Sequence, residues 1–221
     1  MTRPIVVDID GTLSRPDRSI EGRVIDAIRE WPATVVVATG KAFPYPVALC
    51  DFIGRDHLVI AENGGVVFAG DQVHFEGDPE ACERFAAALR DRGYDLGWGH
   101  SDVVNRWRET EVAVVRDVPR DVVDELAREH GLQVIDSGFA YHITAPAVSK
   151  GRAFRTLCEI IGRDPSEFGA IGDSENDVST FEVVGDSFAV ANADDRALGA
   201  ADHVTDGTHG DGLLEALEAW R

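Results

Sequence analysis

Apolar positions along this chain follow two rhythms, and the change between them divides it. Residues 4–9 and 34–39 are short apolar runs rich in valine and isoleucine, the pattern of strands buried on both faces. Between them, Ile20, Val24, Ile25 and Ile28 recur at helical spacing. Strand, helix and strand in about 35 residues make a βαβ unit, which implies parallel strands. A second helix is predicted from Pro44, where a first turn tolerates proline, to Ile53. Strand runs at 58–61, 66–69 and 72–76 follow. Asn63-Gly64-Gly65 reads as a tight turn, and Ala69-Gly70-Asp71 folds the last two runs into a hairpin.

The rhythm changes after Gly77-Asp78-Pro79. A helix over 79–91, strands at 102–108 and 111–116, a helix over 119–130 and strands at 132–136 and 139–144 give an α+β order. From Lys150 the alternation returns: helix 150–161, strand 168–172, helix 177–183, strand 187–190, then helices at 194–200 and 213–220. The expected fold is α/β, a parallel-sheet core with helices on both faces. Residues 1–77 and 148–221 form this discontinuous core, and 78–147 form a small inserted α+β domain.

Charge narrows the function classes. The formal net charge is −19, with 40 acidic residues against 21 basic, spread along the whole chain. Such a field repels nucleic acid and anionic membrane, so neither is an expected partner. Scattered rather than blocked acids read as adaptation to high salt, where the Debye length falls to about 3 Å at 1 M and self-repulsion is screened. The fold is expected to depend on molar salt, a dependence that thermal midpoints in low and molar KCl would test. No apolar run approaches the roughly 18 residues of a membrane span, and no charged-then-apolar leader precedes the first strand, so a cytoplasmic protein is expected. Cys50, Cys82 and Cys158 are too few and too far apart for a zinc site or a disulfide framework, and read as buried apolar residues.

Candidate chemistry begins at Asp8-Ile9-Asp10-Gly11-Thr12, directly after Ile5-Val6-Val7. Residues i and i+2 of a strand point the same way, so both carboxylates reach one small site. Like charges that close need a proton or a cation between them, and a hard divalent cation with a phosphate suits such a strand end. Three further segments fit that chemistry: Val35 to Gly40, Ser149-Lys150-Gly151, and Ile171-Gly172-Asp173-Ser174-Glu175-Asn176-Asp177. Other polar residues carry plainer readings. Lys41 reads as a solvated helix-start residue, and Asn63 as turn chemistry. Arg106 and Arg108 alternate along the predicted strand 102–108, facing either an anionic substrate or surface acids in ion pairs. Tyr141 and His142 read as core or rim.

The motifs Asp8-Ile9-Asp10-Gly11-Thr12, Thr39-Gly40-Lys41, Lys150 in Ser149-Lys150-Gly151, and Gly172-Asp173-Ser174-Glu175-Asn176-Asp177 resemble, in this order, those of the haloacid dehalogenase superfamily. The insert between the second and third motifs is similar to a C2-type cap. Glu62-Asn63-Gly64-Gly65, Asn105 to Glu109, Ser137 to His142 and Ala191-Asn192-Ala193 look like segments of the archaeal phosphoglycolate phosphatases. The resemblance implies a Rossmann-like core under a cap and hydrolysis of a small phosphate monoester through an aspartyl-phosphate, with 2-phosphoglycolate as the expected substrate. A sugar-phosphate or compatible-solute phosphatase and a phosphomutase are the alternatives. It further implies Asp8 as nucleophile and Asp10 as general acid and base. Thr39, Gly40 and Lys150 would bind the phosphoryl group, and Asp8, Asp10, Asp173 and Asp177 would form an Mg²⁺ site.

Overall fold

The computed structural model describes residues 2–221. Its larger sheet is built around β1 (Ile5–Asp8), which pairs in parallel with β2 (Val35–Ala38) on one side and β9 (Gly169–Gly172) on the other. Beyond β2 lie β3 (Leu58–Ala61), parallel, then β4 (Val66–Ala69) and β5 (Gln72–Phe75), antiparallel. Beyond β9 lie β10 (Asp186–Ala189) and the two-residue β11 (His203–Val204), both parallel. The chain thus leaves β1 in one direction and returns beside it from the other. The crevice outside the carboxyl end of β1 is a topological switch point, where open α/β sheets bind ligands.

Alternation along the strands explains the layers. Ile5, Val7, Val35 and Val37 face α1 (Gly22–Arg29), α2 (Pro44–Ile53) and α8 (His209–Ala219) through Val24, Ile28, Cys50, Ile53, Leu213 and Leu217. Val6, Val36 and Ile60 face α5 (Lys150–Ile161), α6 (Glu175–Phe181) and α7 (Asp195–Ala200) through Phe154, Leu157, Phe181 and Ala197. Each valine, isoleucine, leucine or phenylalanine among them contributes about 1.5–3 kcal/mol by leaving water. All three cysteines are buried. Among the described residues no helix is long and apolar enough to cross a membrane.

The inserted unit has its own three-stranded antiparallel sheet. Its central strand, β8 (Ala140–Thr144), lies between β6 (Val112–Val115) and β7 (Gln133–Asp136). Against it pack Phe85 and Leu89 of α3 (Pro79–Asp91) and Val123 and Leu126 of α4 (Arg120–Glu129), a hydrophobic cluster separate from both core layers. The fold is therefore the α/β core with an α+β cap that the pattern predicts.

Three details differ from the pattern. Helices α6 and α8 begin earlier than predicted, at Glu175 and His209, and β11 is an additional short strand. Residues 102–108 are turns, not a strand. Asp102 accepts hydrogen bonds from the backbone and side-chain nitrogens of Asn105 (2.9 and 3.1 Å), which curls the segment. The Asn105 amide then satisfies both the N–H and the C=O of Ala113 (2.7 and 2.9 Å), standing where a neighbouring strand would stand beside β6.

Candidate active site

The end of β1 delivers Asp8 into the crevice, and the chain then turns sharply through residues 9–13. Gly11 makes the turn possible. Its φ is +82°, and a Cβ there would lie 2.1 Å from an Asp173 carboxylate oxygen. Gly172 has the same role one strand over, since a Cβ would press on the Asp177 carboxyl at 2.5 Å. The two glycines let three carboxylates converge: one oxygen from each of Asp8, Asp173 and Asp177 lies within 4.8 Å of the others.

Lys150, at the first turn of α5, is fully buried among them. Its ammonium donates to Asp8 Oδ1 (2.7 Å), Asp177 Oδ1 (2.7 Å) and Asn176 Oδ1 (3.1 Å), so all three hydrogens are used. Asp177 closes the N-terminus of α6, where its Oδ2 accepts from the backbone nitrogens of Asp173 (3.0 Å) and Ser174 (3.2 Å). Both of its oxygens are thus engaged within the protein. Thr12 Oγ1 donates to Asp173 Oδ1 (3.1 Å). Asp8 Oδ2 has no protein partner among the described residues.

Burial is the main force on the protonation states. It pushes the Asp8 carboxyl well above the usual carboxylate range, against the pull of Lys150, and Asp177, Asp173 and Asp10 add to the rise. It pushes Asp173 up to about 7, with Asp177 adding and Lys150 opposing. Lys150 is pushed down by burial, but Asp177 and Asp8 outweigh this and hold it above its ordinary value. The cluster carries more negative charge than one ammonium can balance. Its donors are all oxygens. That set fits a hard divalent cation, held through Asp8 and Asp173.

The cavity above the cluster has a volume of about 240 Å³. Among the predicted site residues, Asp8, Asp10, Gly40 and Asp173 line it. Lys150 and Asp177 sit beneath it. Thr39 is buried behind Gly40, with its hydroxyl accepting from Lys41 N (3.1 Å) and its carbonyl accepting from Asn63 N (3.2 Å). Lys41 is not the solvated residue its position suggests. Its ammonium is 2.8 Å from Asp10 Oδ1, so both lysines of the chain serve this acid group.

Other residues join the site that the sequence reading left with structural or open roles. Asn176 Nδ2 donates to Asn63 Oδ1 (2.9 Å), and Asn63 Nδ2 donates to Glu111 Oε2 of the cap (2.9 Å). Asn63, with φ +56°, is therefore a buried connector as well as a turn residue. Glu111 pairs with Arg108 and with His142 Nδ1 (2.9 Å). Burial, helped by Arg108 and Lys150, pushes His142 down to about 3, so the imidazole is neutral at neutral pH. Nδ1, facing a carboxylate, carries its proton, and Nε2 accepts from Ser137 Oγ (3.0 Å). Arg108 and His142 line the cavity from the cap side, whereas Arg106 borders an outer groove. The sequence carries Asn176, Asn63, Arg108 and His142 inside the segments that resemble the family, with no catalytic role assigned to any of them, and the Arg106/Arg108 alternation left the choice open; Glu111 carries no signal.

The profile of the haloacid dehalogenase-like hydrolases matches residues 5–105 and 116–217. The chain belongs to this family. It is 56% identical over 218 residues to a phosphoglycolate phosphatase of Halobacterium salinarum, covering 99% of this chain and 97% of that one. With the phosphoglycolate phosphatase of Haloarcula marismortui it shares 52% over 222 residues, covering 100% and 98%. The crystal structure of Thermoplasma acidophilum 0175 superimposes with a TM-score of 0.85 at 28% identity, covering 100% of this chain and 98% of that one. A haloacid dehalogenase-like hydrolase from Bacteroides thetaiotaomicron, 20% identical, shares the fold with a TM-score of 0.79 over 99% of both chains.

Proposed function

We propose that this hydrolase cleaves 2-phosphoglycolate to glycolate and phosphate, with Asp8 as nucleophile and Mg²⁺ as cofactor. The observation that carries the reading is the set of Asp8 oxygens. Oδ1 is fixed by Lys150, while Oδ2 has no partner among the described residues and belongs to a residue lining the cavity. A carboxylate held by one oxygen and open at the other is oriented for in-line attack on phosphorus. Relatives at 50–56% identity bear the name phosphoglycolate phosphatase, which supports the substrate. So does a cavity below the roughly 300–1,000 Å³ typical of drug-sized ligand sites.

In the first step Asp8 Oδ2 bonds to phosphorus, the ester P–O bond breaks, and Asp10 gives its proton to the departing glycolate oxygen. In the second, Asp10 takes a proton from a water whose oxygen attacks the aspartyl-phosphate, releasing phosphate and restoring Asp8. Asp10 suits both roles because its carboxyl is half exposed and reaches the cavity. Lys150 holds Asp8 and offsets phosphoryl charge, and the Thr39–Gly40 backbone shapes the wall beside it. Asp8, Asp173 and the Asp10 backbone carbonyl would hold Mg²⁺, with Asp177 bracing Asp173 and Ser174 through their backbone nitrogens. Bound there, the cation would neutralise phosphoryl oxygens. Residues 78–147 act as the cap that excludes water and favours short substrates. Three buried thiols suit a reducing cytoplasm.

A phosphate-release screen in molar KCl with Mg²⁺ tests this, using 2-phosphoglycolate, hexose phosphates and nucleotides. Preferential turnover of 2-phosphoglycolate is expected. Equal turnover across the panel would defeat the assignment.

A further inference from the structure

The cavity has a floor of carboxylates and, opposite it, a wall from the cap formed by Arg108, Ser137, Phe139 and His142. Arg108 is the only charged side chain of that wall, and it is 4% exposed. Its guanidinium is anchored on three sides: Nε donates to Val104 O (3.0 Å), and Nη1 donates to Gly40 O (2.9 Å) and to Glu111. Nη2 has no partner among the described residues. A planar fork held at two of its three nitrogens presents the third in a fixed direction, which a lysine cannot do. Arg108 lines the cavity, so this free donor is open to whatever occupies it, and a charge-assisted hydrogen bond from it is worth about 1.5–3 kcal/mol to a ligand anion.

The neighbours narrow what that acceptor is. His142 is neutral, and Ser137 turns its proton to His142 Nε2, so neither competes for the position. At the rim, Arg18 stacks over the Phe139 ring at 5.0 Å from its centroid and lines the same cavity, adding positive charge. The Arg108–Gly40 bond sets the guanidinium one hydrogen bond from the Thr39–Lys41 loop. Asp8 and Arg108 line the same cavity of about 240 Å³, one from the sheet and one from the cap. Arg108 and Glu111 both fall in residues 106–115, between the two stretches that match the general family profile.

We propose that Arg108 is the specificity-determining residue: its Nη2, assisted by Arg18, receives the carboxylate of a short phosphate ester whose phosphoryl group lies at Asp8. This rests on the reading of the chain as a 2-phosphoglycolate phosphatase.

Two non-hydrolysable probes test it by calorimetry in molar KCl with Mg²⁺. They are 3-phosphonopropionate, which carries the carboxylate, and propylphosphonate, which ends in a methyl group. The wild-type chain is expected to bind the first about 30-fold more tightly, the size of a charge-assisted hydrogen bond. Arg108→Lys keeps the charge but loses the fork, and is expected to bring the two affinities within about threefold. Equal wild-type binding of the two probes overturns the proposal, and this arm needs no variant to fold. Undiminished discrimination by Arg108→Lys overturns it as well. Phosphate release separates this proposal from the substrate assignment. If the wild type hydrolyses 2-phosphoglycolate but ignores the probe carboxylate, only Arg108's role falls. If it discriminates between the probes but releases no phosphate from 2-phosphoglycolate, the carboxylate subsite stands and the substrate falls.

Discussion

Two ionic clusters face each other across the cavity, one on the sheet and one in the cap, and only the second is balanced. On the sheet, Asp8, Asp173 and Asp177 surround the single ammonium of Lys150. In the cap, one guanidinium, Arg108, meets one carboxylate, Glu111, while His142 stays neutral. Burial raises the price of any surplus charge. The surplus on the sheet is therefore a standing demand for a cation and for chemistry, whereas the neutral cap cluster is a fixed frame for recognition. Surplus and balance, rather than burial alone, separate the two roles.

The sharpest way to break the comparison is Asp8→Asn. Loss of the open oxygen should lower kcat about 10⁵-fold, measured by phosphate release, with an unchanged circular dichroism spectrum. Near-normal turnover would remove Asp8 from the reaction.

Next come two amide substitutions expected to act in opposite directions. Glu111→Gln strands the buried Arg108 charge and should destabilise the chain by about 3 kcal/mol in denaturant titrations. Asp173→Asn relieves surplus charge. Because its folded value of about 7 lies above the ordinary 3.8, ionised Asp173 costs stability once the pH has risen through 7. At pH 8, with divalent cations chelated, Asp173→Asn should therefore stabilise by about 1–2 kcal/mol. With millimolar Mg²⁺ the order should reverse, as only the wild type gains from binding. The same sign for both substitutions without metal would erase the distinction.

The remaining effect is a slope. His142 has a folded value of about 3 against an ordinary 6.5, so between these limits the unfolded chain holds the extra proton. Its contribution to stability is complete above pH 6.5 and falls by about 1.4 kcal/mol per unit on acidification towards 3. His142→Gln should flatten that slope in pH-dependent denaturation.

The sheet cluster was legible in the sequence because each member ends an apolar run or begins a helix, so local pattern alone aims it at the crevice. Asp8, Asp10, Asp173, Asp177 and Lys150 all stand at such ends. The cap cluster was not, since its contacts are settled by packing. Glu111 meets Asn63, 48 positions away, and His142, 31 away, with no local signature for either. Between Asp102 and Arg108 the alternation misled, because the Asp102–Asn105 side-chain bonds outcompete a ladder. Lys41 misled for a similar reason: its neighbours suggest solvent, and only the turn after β1 brings Asp10 to it.

Lys150, Asn176, Asn63 and Glu111 stand in single file, each donating to the next. An ammonium at one terminus and a carboxylate at the other dictate which way both amides point, so neither can flip without breaking two links. Carboxamides do not release protons near neutrality, so the file is an insulator. It ties the two walls together mechanically without itself relaying protons between them.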